Sequence, residues 1–131
     1  MSTMYSRSKV MFEQSVMALG KVAEDDAYLD IAFFETQQAI EFLLMAVLLE
    51  EGVAYGKTHH IGQLLELVLG TGLTFEKQDV LELLADTITD WEESSRYGKG
   101  IRTTVQTVQR VHNIYRNINE EFLRRQAENN K

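Results

Sequence analysis

A histidine, a buried-looking carboxylate and a basic loop are the parts of this chain whose residue types and spacing suit chemistry. His112 sits on an apolar helical seam, and Arg116 follows it at i+4, on the same side of the helix. A histidine beside a cation suits phosphoryl chemistry, the ring moving a proton while the guanidinium steadies developing charge. Arg110 lies about 200° round the helix from His112 and faces away. Glu41 is the only charge in the apolar run 39–49, with Gln37 and Gln38 one turn earlier and within reach. A carboxylate on a buried helix needs a partner, because an unpaired buried charge is costly. The candidates are Arg96, His59 and Tyr97, in a polar clasp that fixes loops or, alternatively, around a catalytic carboxylate. Residues 96–102 place Arg96, Tyr97, Lys99 and Arg102 among two glycines. Flexible backbone beside Arg and Lys suits phosphate, and Tyr97 offers a stacking face. The same loop would also serve as a solvated complement to an acidic body.

Other motifs carry less. His59 and His60 are adjacent, so their side chains diverge on a helix, and no cysteine is present to complete a metal site. No metal and no cofactor is therefore expected. Residues 52–58 superficially resemble a phosphate loop, but only three residues separate Gly52 from Gly56, and a long helix precedes them where that motif needs a strand.

The elements that must position these residues are helical throughout. Phe12, Val16, Leu19 and Ala23 form one stripe of an expected first helix over 4–23. Asp25 or Asp26 caps the second, over 27–51, which is apolar on nearly every face after Ala39 and is therefore the central element. Gly52 suits its stop. Thr58 is expected to cap a short helix over 59–69, and Thr74 a fourth over 75–94. The inner side of the fourth reads as Val80, Leu83, Leu84, Thr87, Ile88 and Trp91. Thr103 and Gln106 make a capping-box pattern before a last helix reaching 126. Ile101, Val105, Val108, His112, Tyr115, Asn119 and Phe122 form its heptad seam, with Val111, Ile114 and Ile118 beside it. The two stripes make either one wide core face or a core face next to a partner face. The sum is one all-α domain over 1–131, an up-and-down bundle of four long helices and one short one. Residues 127–131 are expected to fray.

Composition narrows the classes. A chain of 131 residues without cysteine or proline excludes a disulfide scaffold and favours long uninterrupted helices. The absence of cysteine and of an apolar leader fits a cytoplasmic protein. The apolar run 39–49 is too short to cross a bilayer, so no membrane role is expected. The net charge of −7 argues against a protein that coats nucleic acid generally. The charge is unevenly placed. Residues 1–95 carry 5 Lys/Arg against 17 Asp/Glu, and 96–131 carry 8 against 3, so an anion site belongs in the last third.

Several short motifs together resemble one family. Residues 31–41, with Gln38 and Glu41, are similar to the QxxE-bearing second helix of HEPN domains (higher eukaryotes and prokaryotes nucleotide-binding). Thr58-His59 with Leu64-Leu65 resembles that family's T-H-x-(I/L)-x-x-L-L segment, and Arg96-Tyr97 its R-Y element. The resemblance runs from about residue 9 to 122. It implies a helical bundle that forms homodimers, in a small prokaryotic protein often encoded beside a minimal nucleotidyltransferase as a toxin–antitoxin-like pair. It also implies a polar cluster of Gln38, Glu41, His59, Arg96 and Tyr97. Many members are metal-independent RNases carrying Arg, four to six residues, then His. Before His112, Arg110 stands too close and Arg102 too far, and Met45 replaces the family's usual Lys four residues after the Glu.

The first expectation is therefore a non-catalytic module. It binds nucleotide or nucleic-acid phosphate, or pairs with a nucleotidyltransferase, through Arg96, Tyr97, Lys99, Arg102 and the last helix. The alternatives are an RNase toxin using His112 with Arg102 or Arg116, and a helical protein-interaction module.

Overall fold

The computed structural model describes residues 3–91 and 105–130. Among them are five helices and no strand: α1 (Thr3–Leu19), α2 (Ala27–Glu50), α3 (Ile61–Gly70), α4 (Gln78–Thr89) and α5 (Val105–Asn129). They form the expected all-α up-and-down bundle, with α4 shorter than its sequence pattern suggested. Residues 96–102, with Arg96, Tyr97, Lys99 and Arg102, and the capping residue Thr103 lie outside the described residues.

The central helix is α2. Ile40, Leu43, Leu44, Ala46 and Leu48 are all fully buried, as an apolar-all-round helix requires. It is long and apolar enough to span a membrane, yet 72% of its most apolar window is buried inside the bundle. Asp25 accepts the Ala27 N–H at 2.9 Å and so caps its start. Gly52, at φ 68°, ends it: the Gly52 N–H bonds the Leu49 carbonyl, and the Val53 N–H bonds that of Leu48. Those two bonds satisfy orphan carbonyls, and the left-handed turn they need suits a residue without Cβ.

The other helices differ from the sequence expectation in informative ways. α1 ends at Leu19, not Ala23, and its most buried residues are Ser8, Ser15 and Ala18. Val16, expected inside, is exposed. α3 starts at Ile61, two residues later than expected. Thr58 accepts the His60 N–H in a turn, and the first helical N–H, of Ile61, is capped by the Thr89 hydroxyl of α4 at 3.2 Å. α4 starts at Gln78. Thr74 is exposed, and the preceding N–H groups of Phe75 and Lys77 bond Gln78 and Asn117 of α5. Leu81, Ala85 and Ile88 face inward, whereas Leu83 is 84% exposed and Thr87 is exposed too. Of the expected inner side, Ile88 and Trp91 are buried and Val80 and Leu84 pack against the core, whereas Leu83 and Thr87 face out and Leu81 and Ala85 take inner places instead.

On α5 both apolar stripes are buried in the single chain: Val108, His112, Tyr115 and Phe122 with Val111, Ile114 and Ile118. They form one wide core face. The helix runs to Asn129, beyond the expected fraying point, and Arg124 pairs there with Glu121 and Glu128. Arg125 ties its end to the Glu51 carboxylate at 3.1 Å and to the Thr71 carbonyl.

Candidate functional site

Two polar assemblies interrupt the apolar packing. The first surrounds Glu41, which is fully buried midway along α2. Gln37, one turn earlier, donates to Glu41 Oε1 at 3.3 Å and to the Thr89 carbonyl at 3.1 Å. Thr89 in turn donates to the Ala85 carbonyl while its oxygen caps α3. His59 Nδ1 lies 3.6 Å from Glu41 Oε2, although the His59 side chain is 71% exposed. Glu41 and His59 are thus brought together as the sequence suggested. Gln37, and not Gln38, makes the bond to the carboxylate; Gln38 is half-buried. The assembly joins α2 to the end of α4 and the start of α3, which is the geometry of a clasp. His60 turns the other way, to Asp86 of α4 at 3.2 Å.

The second assembly lies where α5 meets α1 and α2. It was not legible as a unit in the sequence. The His112 ring is 3% exposed. Its Nε2 is 3.0 Å from the Ser15 hydroxyl of α1 and 3.0 Å from the Thr36 hydroxyl of α2, both buried. Phe12 meets the ring edge-on at a centroid distance of 5.2 Å. Burial, reinforced by the Arg116 charge, pushes the His112 pKa down to about 4, so the ring is neutral at pH 7. One turn along, Tyr115 bonds Ser8 at 2.8 Å and stacks on Phe12 at 4.1 Å. Its pKa is pushed up to about 12, chiefly by burial. Of the expected stripe of α1, Phe12 and Leu19 pack against the core while Val16 and Ala23 are exposed; Ser8 and Ser15, polar in sequence, dock inward because partners on α2 and α5 await them.

Beside His112 opens a cavity of about 460 Å³ between α1 and α5. Val16 and Leu19 line one side, and Gln109, His112, Asn113 and Arg116 the other. Positions 109, 112, 113 and 116 recur at helical spacing, so a single face of α5 supplies two amides, an imidazole and a guanidinium. Arg116 donates to Asn113 Oδ1 at 3.1 Å, and its guanidinium carbon sits 5.2 Å from the Phe12 centroid. These contacts orient the cation at the cavity wall, while the Asn113 amide keeps its own donors. Of the two arginines weighed with His112, Arg116 shares this cavity; Arg102 lies outside the described residues. Gln109 and Asn113 were missed by sequence reasoning, although their spacing from Arg116 was the available signal. Among the described residues no three His, Asp or Glu side chains gather as metal ligands would.

Comparison with known proteins gives one result. A family model described as the HEPN domain matches residues 16–126, which take in the Glu41 assembly and Thr36, His112 and Tyr115 of the second, but not Ser8, Phe12 or Ser15 of α1. No curated protein and no solved structure gave a significant match.

Proposed function

Since the chain belongs to the HEPN domain family, we propose that it binds the phosphate of a nucleotide or RNA in the α1–α5 cavity and does not cleave it. The carrying observation is the single α5 face that sets Arg116, Asn113 and Gln109 around a cavity large enough for a nucleotide. Guanidinium and amide groups donate to phosphate oxygens, and Arg does so with directional N–H bonds. His112 argues for binding over catalysis. It is neutral, enclosed, and engaged through Nε2 with two hydroxyls, so it is a poor proton donor at pH 7. By sequence, Arg96, Tyr97, Lys99 and Arg102 remain further candidates for phosphate binding. A homodimer, and a nucleotidyltransferase partner in a toxin–antitoxin-like pair, are likewise part of the proposal.

A second reading is favoured by one observation: His112 and Arg116 line the same cavity. A metal-independent RNase would use them as proton-transfer group and charge stabiliser.

The test is calorimetric titration of the full chain with adenosine 5′-monophosphate, beside Arg116→Gln. Binding weakened roughly tenfold or more by Arg116→Gln supports the reading, since charge-assisted bonds are the strong ones in such a site. Equal binding by both proteins overturns it.

A further inference from the structure

Four of the eight large apolar side chains left exposed among the described residues gather on one side of the bundle: Val10 and Met17 of α1 and Ile31 and Leu49 of α2. On α2, Ile31, Gln38, Phe42 and Leu49 follow at intervals of seven, four and seven, which is one helical stripe. On α1, Val10 and Met17 are seven apart and share a stripe too. The two stripes adjoin, since Val10, Arg7 and Phe42 line one apolar cavity of about 470 Å³. An apolar side chain exposed singly is ordinary, whereas a contiguous face across two helices marks an interaction site. The charges on this face are spaced for a copy of itself. Ser8 bonds the Ala39 carbonyl, which sets Arg7 beside residues 39–42. Glu35 lies on the other side of Gln38, seven residues from Phe42 or about 10 Å along the axis. One chain therefore holds the two charges apart, and among the described residues neither belongs to an ion pair. Glu35 is half-buried, and burial raises its pKa with no cation near enough to offset the rise.

We infer that this α1–α2 face binds a second copy of the chain across a two-fold axis at Gln38, with Arg7 of each copy on Glu35 of the other. A two-fold axis reverses the order along α2, so a cation on one side of Gln38 meets the carboxylate on the other side, and does so twice. The same reversal brings Ile31 of one copy to the stripe of the other near residues 45–49. Gln38 carries both an acceptor and two donors, so at the axis it can bond its own copy. An anionic lipid surface is the poorer occupant, because the chain's net charge of −7 opposes it and Glu35 would be buried there unpaired. The inference gives a face to the homodimer of the proposed reading and rests on that part of it, not on the nucleotide.

The test is sedimentation equilibrium of the full chain at micromolar concentration. The wild type is expected to be a dimer. Ile31→Asp, at an exposed position, should keep the wild-type far-ultraviolet circular dichroism and weaken the dimer roughly tenfold or more, because it buries a carboxylate at the interface. Arg7→Glu should weaken it by a similar factor, since symmetry counts each change twice. Arg7→Glu combined with Glu35→Arg should restore the affinity to within about threefold of wild type. A monomeric wild type overturns the inference and the homodimer together. A dimer indifferent to Ile31→Asp keeps the homodimer and overturns this face. A charge exchange that does not restore the dimer overturns the pairing of Arg7 with Glu35.

Discussion

Replacing Ser8 by Ala should destabilise the protein more than removing the Tyr115 hydroxyl, and removing both should restore much of what Ser8→Ala loses. Ser8 is fully buried on α1, donates to the Ala39 carbonyl at 3.0 Å, and stands 2.8 Å from the Tyr115 hydroxyl. Its one proton goes to Ala39, so Tyr115 is the donor in the second bond. Ser8→Ala therefore strands a buried phenol proton, at about 1–3 kcal/mol, offset by a few tenths from the better helix former. Tyr115→Phe leaves Ser8 with its Ala39 bond and removes a costly buried hydroxyl, so the loss is only about 0.5–1 kcal/mol. With both changed, two apolar groups meet and no donor is stranded. The double variant should then be more stable than Ser8→Ala alone by about 1 kcal/mol, or roughly 4 °C in Tm for a chain of this size. Chemical denaturation of the four proteins closes the cycle. A double variant less stable than Ser8→Ala would refute the donor assignment and the account of why α1 buries serines.

Three further outcomes follow from the same structure. The His112 pKa, about 4 in the folded chain against an ordinary 6.5, makes stability fall with acid: above pH 6.5 both states are neutral, and below it the unfolded chain takes the proton first. The loss should reach about 3 kcal/mol once pH passes below 4, read as the difference in pH dependence of denaturation between wild type and His112→Gln. Thr89→Val frees the Ile61 N–H at the start of α3; it should cost about 1–2 kcal/mol, with hydrogen-exchange protection lost first in α3. Leu81→Ala should cost about 2–4 kcal/mol while Leu83→Ser stays within about 0.5 kcal/mol, which checks by thermal melts which face of α4 is buried.

The fold was legible wherever one strong local signal decided it. α2 is apolar all round, Asp25 and Gly52 bound it with short-range hydrogen bonds, and Glu41 with Gln37 is an i, i+4 pair on one helix. Reading failed where the deciding partner lay far along the chain. α1 docks through Ser8 and Ser15, whose partners are some hundred residues away, so polar residues looked like surface. α4 offers Leu81, Leu83 and Leu84 within one turn, and its start is set by Asn117 of α5, so periodicity alone placed Leu83 and Thr87 inside in place of Leu81 and Ala85 while placing Ile88 and Trp91 correctly. α3 is capped by Thr89 from another helix, which no local capping pattern encodes. In the site, His112 and Arg116 were visible as a same-helix pair, whereas Ser15 and Thr36 enter only through packing.

The central claim is that the cavity beside His112 and Arg116 holds nucleotide phosphate without cleaving it. The most direct test is to incubate the pure full chain with a short single-stranded RNA in EDTA, beside Arg116→Gln and His112→Ala. Retained, intact RNA with wild-type protein, and weakened retention with Arg116→Gln, is the predicted result. Metal-independent cleavage by wild type that disappears in His112→Ala would contradict the claim and make the neutral, enclosed histidine a catalytic residue.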